Sequence, residues 1–243
     1  MKITIQCRTF ANLVAATKEL LNDVNLAVTP DGLTMQSMDS AHVALCMLAL
    51  PKTCFSSFEV DEPLVIGINV TVLSMALNCL DLDSELLIEY IDADLCVSTN
   101  GERGPRRLKL HTMDIDTEEM QVPPSVPQGV VELDARDFAS LCVDSMKIGA
   151  DGQFNLTTDR LNIKTIGDLG EATFEIIDGV KSKVMWRNYI EISRFNWKYL
   201  SLFSRAKLSA SRVQLHFVSQ APLKILFPVA GDGTLTFYLA PRF

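Results

Sequence analysis

The chain has no apolar run long enough to cross a bilayer as a helix. Its longest, Val43 to Leu50, is stopped by Pro51. The start, Met1 to Gln6, alternates like a strand and has no signal-peptide core. A soluble intracellular protein with no membrane partner is expected. Paired cysteines are missing too. None of the 6 cysteines stands in Cys-x-x-Cys spacing, and without a secretion signal they read as buried free thiols. Nor is there an excess of base. Lys and Arg number 22 against 30 Asp and Glu, a net charge of −8. That excludes holding nucleic acid by overall charge, so any such role needs a local basic surface or another means of grip.

The vocabulary of catalysis is also sparse. There is no Gly-x-x-x-x-Gly-Lys-Ser/Thr loop and no Gly-x-Gly-x-x-Gly. Gly167 to Gly170 reads as a turn between strands. His42, His111 and His216 lie far apart, without metal-ligand spacing. Asp39, Ser40 and His42 are close in sequence, but a triad needs a fixed spatial arrangement, and no nucleophile-elbow motif surrounds them. Asp92 with Asp94 and Asp114 with Asp116 read as turn chemistry before cation ligands. No cofactor, metal or catalytic residue is expected.

What the chain does have is an internal repeat. Its 243 residues, 48% apolar and 21% charged, suit one large or two smaller globular domains. At a shift of 128, Arg8-Thr9-Phe10-Ala11-Asn12-Leu13 meets Arg136-Asp137-Phe138-Ala139-Ser140-Leu141, and Asp31 to Met35 meets Asp159 to Ile163. Later parts align at a shift of 124, Ile66-Gly67-Ile68 meeting Ile190-Glu191-Ile192. The joint is Thr117 to Gly129, whose prolines bar a helix or central strand. This predicts domains over 1–116 and 130–243, with 117–129 connecting them. Each half reads as a strand, an amphipathic helix, strands, a second helix and more strands. The second helices fall roughly at Val72 to Leu80 and Phe195 to Arg205. Mostly antiparallel sheet with two helices per half is an α+β layout.

The helix faces turned away from the sheets decide function. The first helix offers Ala11, Asn12, Ala15, Lys18 and Asn22. The second offers Ser74 and Asn78, and the third Ser140, Val143, Asp144 and Lys147. On the fourth, Lys198, Ser201, Leu202 and Arg205 share one side. Lysines on a wet helix face are ordinarily just solvated. Placed in both repeats, they make a surface able to meet phosphates without reading bases.

Leu33-Thr34-Met35-Gln36-Ser37-Met38-Asp39-Ser40-Ala41-His42-Val43 resembles the proliferating cell nuclear antigen family of DNA sliding clamps. The likeness continues through Gly67 to Thr71, Met113 to Asp116, Phe138 to Cys142, Lys147 to Gly149 and Tyr238 to Pro241. It implies the DNA-clamp fold, three subunits joined head to tail in a pseudo-six-fold ring, helices lining the hole and sheets outside. Head-to-tail contacts that close by rotation make rings. Retention on duplex DNA is then topological, which reconciles net negative charge with a DNA role. The resemblance implies a processivity factor for DNA polymerase in replication and repair, working in the nucleus or at a viral replication site.

The resemblance also implies particular surfaces. Arg8, Lys18, Asn78, Lys147, Lys198 and Arg205 are the DNA-facing candidates. Edge strands carrying Arg106, Leu108 and Leu110, and Ala172, Thr173, Phe174 and Ile176, form the subunit joint. A pocket for the short hydrophobic peptide of a polymerase, clamp loader or nuclease would use Met38, His42, Val43, Leu45, Met120, Val122, Pro123, Pro222, Tyr238 and Ala240. The chain departs from the family where relatives often carry bases, notably at Met75 and Asn78, so weak direct DNA contact is expected. Thr158 stands where cellular members have a lysine that receives ubiquitin-like modifiers. Two other assemblies fit the sequence: one member of a heterotrimeric clamp, and a monomeric processivity factor that holds DNA electrostatically.

Overall fold

Each of the four helices starts directly at the end of a strand, and a polar side chain caps each start. The computed structural model describes residues 1–102, 104–116, 120–122, 125–168, 170–187 and 193–242. The first half begins with β1 (Lys2–Gln6) and α1 (Cys7–Thr17), where the Gln6 side chain accepts from the Thr9 amide. Next come β2 (Asp23–Thr29), β3 (Gly32–Met38), β4 (Ala44–Pro51), β5 (Ser57–Glu59) and β6 (Leu64–Asn69). Asn69 caps α2 (Val70–Asn78) by accepting from the Val72 amide, and β7 (Glu85–Ile91), β8 (Asp94–Gly101) and β9 (Gly104–His111) follow. The second half opens with β10 (Gly129–Asp134) and α3 (Ala135–Ile148), which Asp134 caps through the Arg136 and Asp137 amides. Then come β11 (Asp151–Leu156), β12 (Arg160–Gly167), β13 (Gly170–Ile177), β14 (Lys183–Trp186) and β15 (Ser193–Asn196). Asn196 caps α4 (Trp197–Phe203), which tightens into a 3-10 turn, Ser204–Leu208. β16 (Arg212–Phe217), β17 (Leu223–Pro228) and β18 (Thr234–Leu239) complete the chain. These side-chain caps satisfy amides that a helix start leaves unpaired.

The strand orders show the duplication. In the first half they run β5-β1-β7-β8-β9 and β4-β3-β2-β6; in the second, β14-β10-β16-β17-β18 and β13-β12-β11-β15. Each second-half strand takes the place of its first-half counterpart. Small polar contacts repeat as well. Asn69 Nδ2 donates to Asp23 Oδ1 at 2.7 Å, and Asn196 Nδ2 to Asp151 Oδ1 at 3.2 Å. The Val70 amide donates to the Asn22 carbonyl, and the Trp197 amide to that of Ala150. These pairs put Asn69 opposite Asn196, a shift of 127 and not 124. The later repeat therefore lies three residues out of the register expected from sequence. Ile190 to Ile192, on which that alignment rested, lie outside the described residues.

By contacts the chain forms two compact units. One comprises 1–40, 46–120 and 229–235, the other 41–45, 121–228 and 236–243. A simple cut at the connecting segment misses the two short stretches that group with the opposite half. In the connecting segment, 117–119 and 123–124 lie outside the described residues, and 120–122 and 125–127 are neither helix nor strand.

The two cores use different chemistry on one frame. The first unit buries mainly aliphatic side chains, with Ile3, Leu13, Val28, Leu77, Leu86 and Val97 at 0% exposure. The second stacks aromatics. Phe203 lies on Phe237 with centroids 4.4 Å apart, and Phe154 packs against Phe195 and Trp197 at 5.4 and 5.5 Å. Gly152 makes room for the indole: a Cβ there would lie 2.4 Å from the Trp197 ring.

Candidate nucleic-acid interface

In each unit the two helices pack side by side, α1 with α2, and α3 with α4 and the 3-10 turn. The buried faces follow the amphipathic pattern, Phe10, Leu13 and Val14 on α1 and Phe138, Ala139 and Cys142 on α3. The outward faces are what a ligand meets. Two residues assigned to those faces from sequence are instead buried: Ala11 is 7% exposed and Ser74 4%.

The candidate DNA-facing residues differ in how far their charge is committed. Arg8 is exposed and paired to Asp83. The Asp83 carboxylate holds the guanidinium's pKa above its ordinary value, first through the hydrogen bond and then by charge. Lys18 is half-buried at the C-cap of α1. Asn78, exposed, ends α2 beside exposed Met75 and Val72 at 64% and 46%. On α3, Lys147 binds Asp144 at 2.9 Å and lowers that carboxyl's pKa. Lys198 and Arg205 are exposed in the second unit. Arg205 lies in the 3-10 turn and not, as expected, in a continuous helix. Sequence reasoning passed over Arg136 and Lys207, both exposed on the same layer. In the sequence Arg136 stands out only as part of the repeat, and Lys207 falls beyond the expected end of the last helix.

The candidate joint strands are both sheet edges. Among the described residues β9 pairs only with β8, and β13 only with β12. On β9, Arg106, Leu108 and Leu110 are half-buried or buried, alternating with exposed Pro105, Arg107, Lys109 and His111. On β13, Ala172, Phe174 and Ile176 are half-buried, while Glu171, Thr173 and Glu175 are exposed. Apart from Arg106 on β9 and Ile177 on β13, each edge thus has an apolar row and a polar row, the polar one basic on β9 and acidic on β13. Arg107 reaches Glu89 at 3.4 Å, and Lys109 and His111 share Asp94 at 2.7 and 2.8 Å. Those two partners hold the Asp94 pKa below the usual carboxylate range, Lys109 foremost. Arg106 donates from Nη1 to the Cys79 carbonyl at 2.6 Å and so ties the edge strand to the end of α2.

Of the candidate peptide-pocket residues, the first unit holds Met38, half-buried, and Met120, 45% exposed. The Met120 carbonyl accepts from Gln36 Nε2 at 2.6 Å. In the second unit the Ala240 amide donates to the Val43 carbonyl at 3.0 Å. There His42 and Pro222 are exposed, Val43, Val122, Tyr238 and Ala240 half-buried, and Leu45 buried at 5%. Burial raises the Tyr238 hydroxyl's pKa, and Lys224 Nζ lies 6.0 Å from its ring. Pro123 lies outside the described residues.

Asp39 is buried, whereas Ser40 and His42 are exposed and His42 has a φ of 56°. Among the described residues no group of His, Cys, Asp and Glu is placed to hold a metal ion, and no helix is long and apolar enough to cross a membrane. The cysteines are unbridged, with Cys79 the exposed one.

The geometry has counterparts among known proteins. Residues 4–119 match the family model of the proliferating cell nuclear antigen N-terminal domain, and 121–242 that of its C-terminal domain. Proliferating cell nuclear antigen 2 of Drosophila melanogaster is 26% identical over 235 residues, covering 95% of this chain and 92% of that protein. The crystal structure of proliferating cellular nuclear antigen from Entamoeba histolytica superposes with a TM-score of 0.93 at 25% identity, covering 100% of this chain and 98% of that one. With both halves matched in order across nearly its whole length, the chain belongs to the proliferating cell nuclear antigen family.

Proposed function

We propose that this chain grips DNA by encirclement, as a homotrimer closed through its two unlike sheet edges. Membership of the family makes it a DNA sliding clamp and processivity factor. The observation that carries the mechanism is the complementarity of β9 and β13. Joining them antiparallel or parallel continues one sheet, sets Leu108 and Leu110 beside the Phe174 and Ile176 row, and brings a basic row to an acidic one. Because the two edges differ, the contact is head to tail and must either close or polymerise. Three copies of a duplicated unit give six similar units around a hole.

In this reading the helix layers face duplex DNA, with Arg8, Lys18, Asn78, Lys147, Lys198 and Arg205 toward the phosphates. The net charge of −8 then keeps the ring soluble and lets it slide, since strong attraction would hold it in place. The second unit's His42, Val43, Val122, Pro222, Tyr238 and Ala240 receive the short hydrophobic peptide of a DNA polymerase, clamp loader or repair protein. The chain works as a scaffold and not an enzyme, in the nucleus or at a viral replication site. The test is its mass in solution. Purified chain should run as a single species at three times 26.9 kDa. A chain that stays at 26.9 kDa at every concentration, and joins no sibling subunit, contradicts the ring.

A further inference from the structure

The cations of the two helix layers are unequally placed. In the first unit, Arg8 is bound by Asp83, Lys18 stands next to Glu19, and α2 offers only Thr71, Val72, Met75, Asn78 and Cys79 to the outside. In the second unit Lys147 is likewise bound by Asp144, but Lys198 and Arg205 are joined by Arg136, from the first turn of α3, and Lys207, from the 3-10 turn. These last two are exposed and line one cleft, together with Asp134 and the segment Leu208 to Ser211. The acid in that cleft is already engaged. Asp134 Oδ1 accepts from the Arg136 amide at 2.8 Å and the Asp137 amide at 3.3 Å. The α3 N-terminus is thus closed by its own cap and is not the attraction. The exposed guanidinium and ammonium match phosphodiester oxygens. Contacts of such groups to phosphate oxygens fix position on the duplex and carry no sequence information.

We propose that Arg136 and Lys207 form an additional, sequence-independent phosphate contact, so that the DNA backbone follows the second unit's helix layer in preference to the first's. The inference rests on the clamp reading and deepens it. It replaces a ligand face shared evenly between the repeats with one concentrated on a single unit.

The test uses the full-length chain and a short, blunt-ended labelled DNA duplex, titrated by fluorescence anisotropy from low to physiological salt. The double variant R136A/K207A should bind about tenfold more weakly at low salt. Its plot of log affinity against log salt should be shallower by about 1 to 2, one contact per lost cation. A second double variant, K181A/K183A, removes the same charge from the β14 region and should retain wild-type affinity. The proposal is overturned if R136A/K207A keeps the wild-type slope, if K181A/K183A loses as much, or if the wild type shows no salt-dependent affinity. Analytical ultracentrifugation of the same samples checks the ring separately. A wild-type monomer that still shows the Arg136 and Lys207 effect would sink the trimer reading and leave this contact standing.

Discussion

The indole of Trp197 is wholly buried, and its Nε1–H donates to Thr165 Oγ1 at 3.0 Å. That bond satisfies a donor with no route to water. Thr165→Val keeps the volume and removes the acceptor, and should cost about 1–3 kcal/mol in urea unfolding. His216 makes a second, pH-dependent contribution. Burial, with Lys224 adding to it, lowers its pKa from 6.5 to about 4. The folded protein therefore keeps His216 neutral while the unfolded chain takes up a proton below about pH 6.5. Stability from this group is full above that pH and drains away as pH falls toward 4. Discounted for partial exposure, the loss is on the order of 1–2 kcal/mol. His216→Gln should flatten that part of the pH profile, read from urea midpoints at pH 7 and pH 4.5. Neither residue was legible in the sequence as a contact. Thr165 and Trp197 are 32 positions apart, and His216 sits in a strand whose alternation says nothing of its neighbours.

At the level of elements, the proposed ring closes through β9 and β13. Leu108→Glu or Phe174→Glu places an acid in the apolar row and should weaken each joint by about 2 kcal/mol or more, roughly thirtyfold. Sedimentation should then show monomer, with the circular dichroism spectrum unchanged. The helices should behave differently. Changing Lys147, Lys198 and Arg205 together to Ala should leave the trimer intact and reduce clamp-dependent polymerase stimulation several-fold. An unaltered stimulation would remove those side chains from the DNA contact. The strands of both halves and the four helices are legible in the sequence because their apolar periodicity is strong. The later repeat register was not. Ile68 and Val70 in one copy answer to Phe195 and Trp197 in the other, so residue likeness is lost while burial is kept. The short strands β5 and β14 also escaped notice, since each buries too little to leave a period of two. Arg136 and Lys207 escaped for a different reason. They meet at a cleft between two elements, and a helical projection follows only one element at a time.

On the scale of the whole molecule, duplication supplies two similar units, and in the proposed ring the unlike edges make the joint directional. Net negative charge, unfavourable for a protein that binds DNA by attraction, suits a ring held by closure. The direct measurement is retention on DNA of two topologies at one salt concentration. Clamp loaded on a nicked circle should stay bound through gel filtration and leave when a single cut makes the circle linear. Equal retention on both forms, falling steeply with salt, would contradict encirclement and mark a protein that holds DNA by charge.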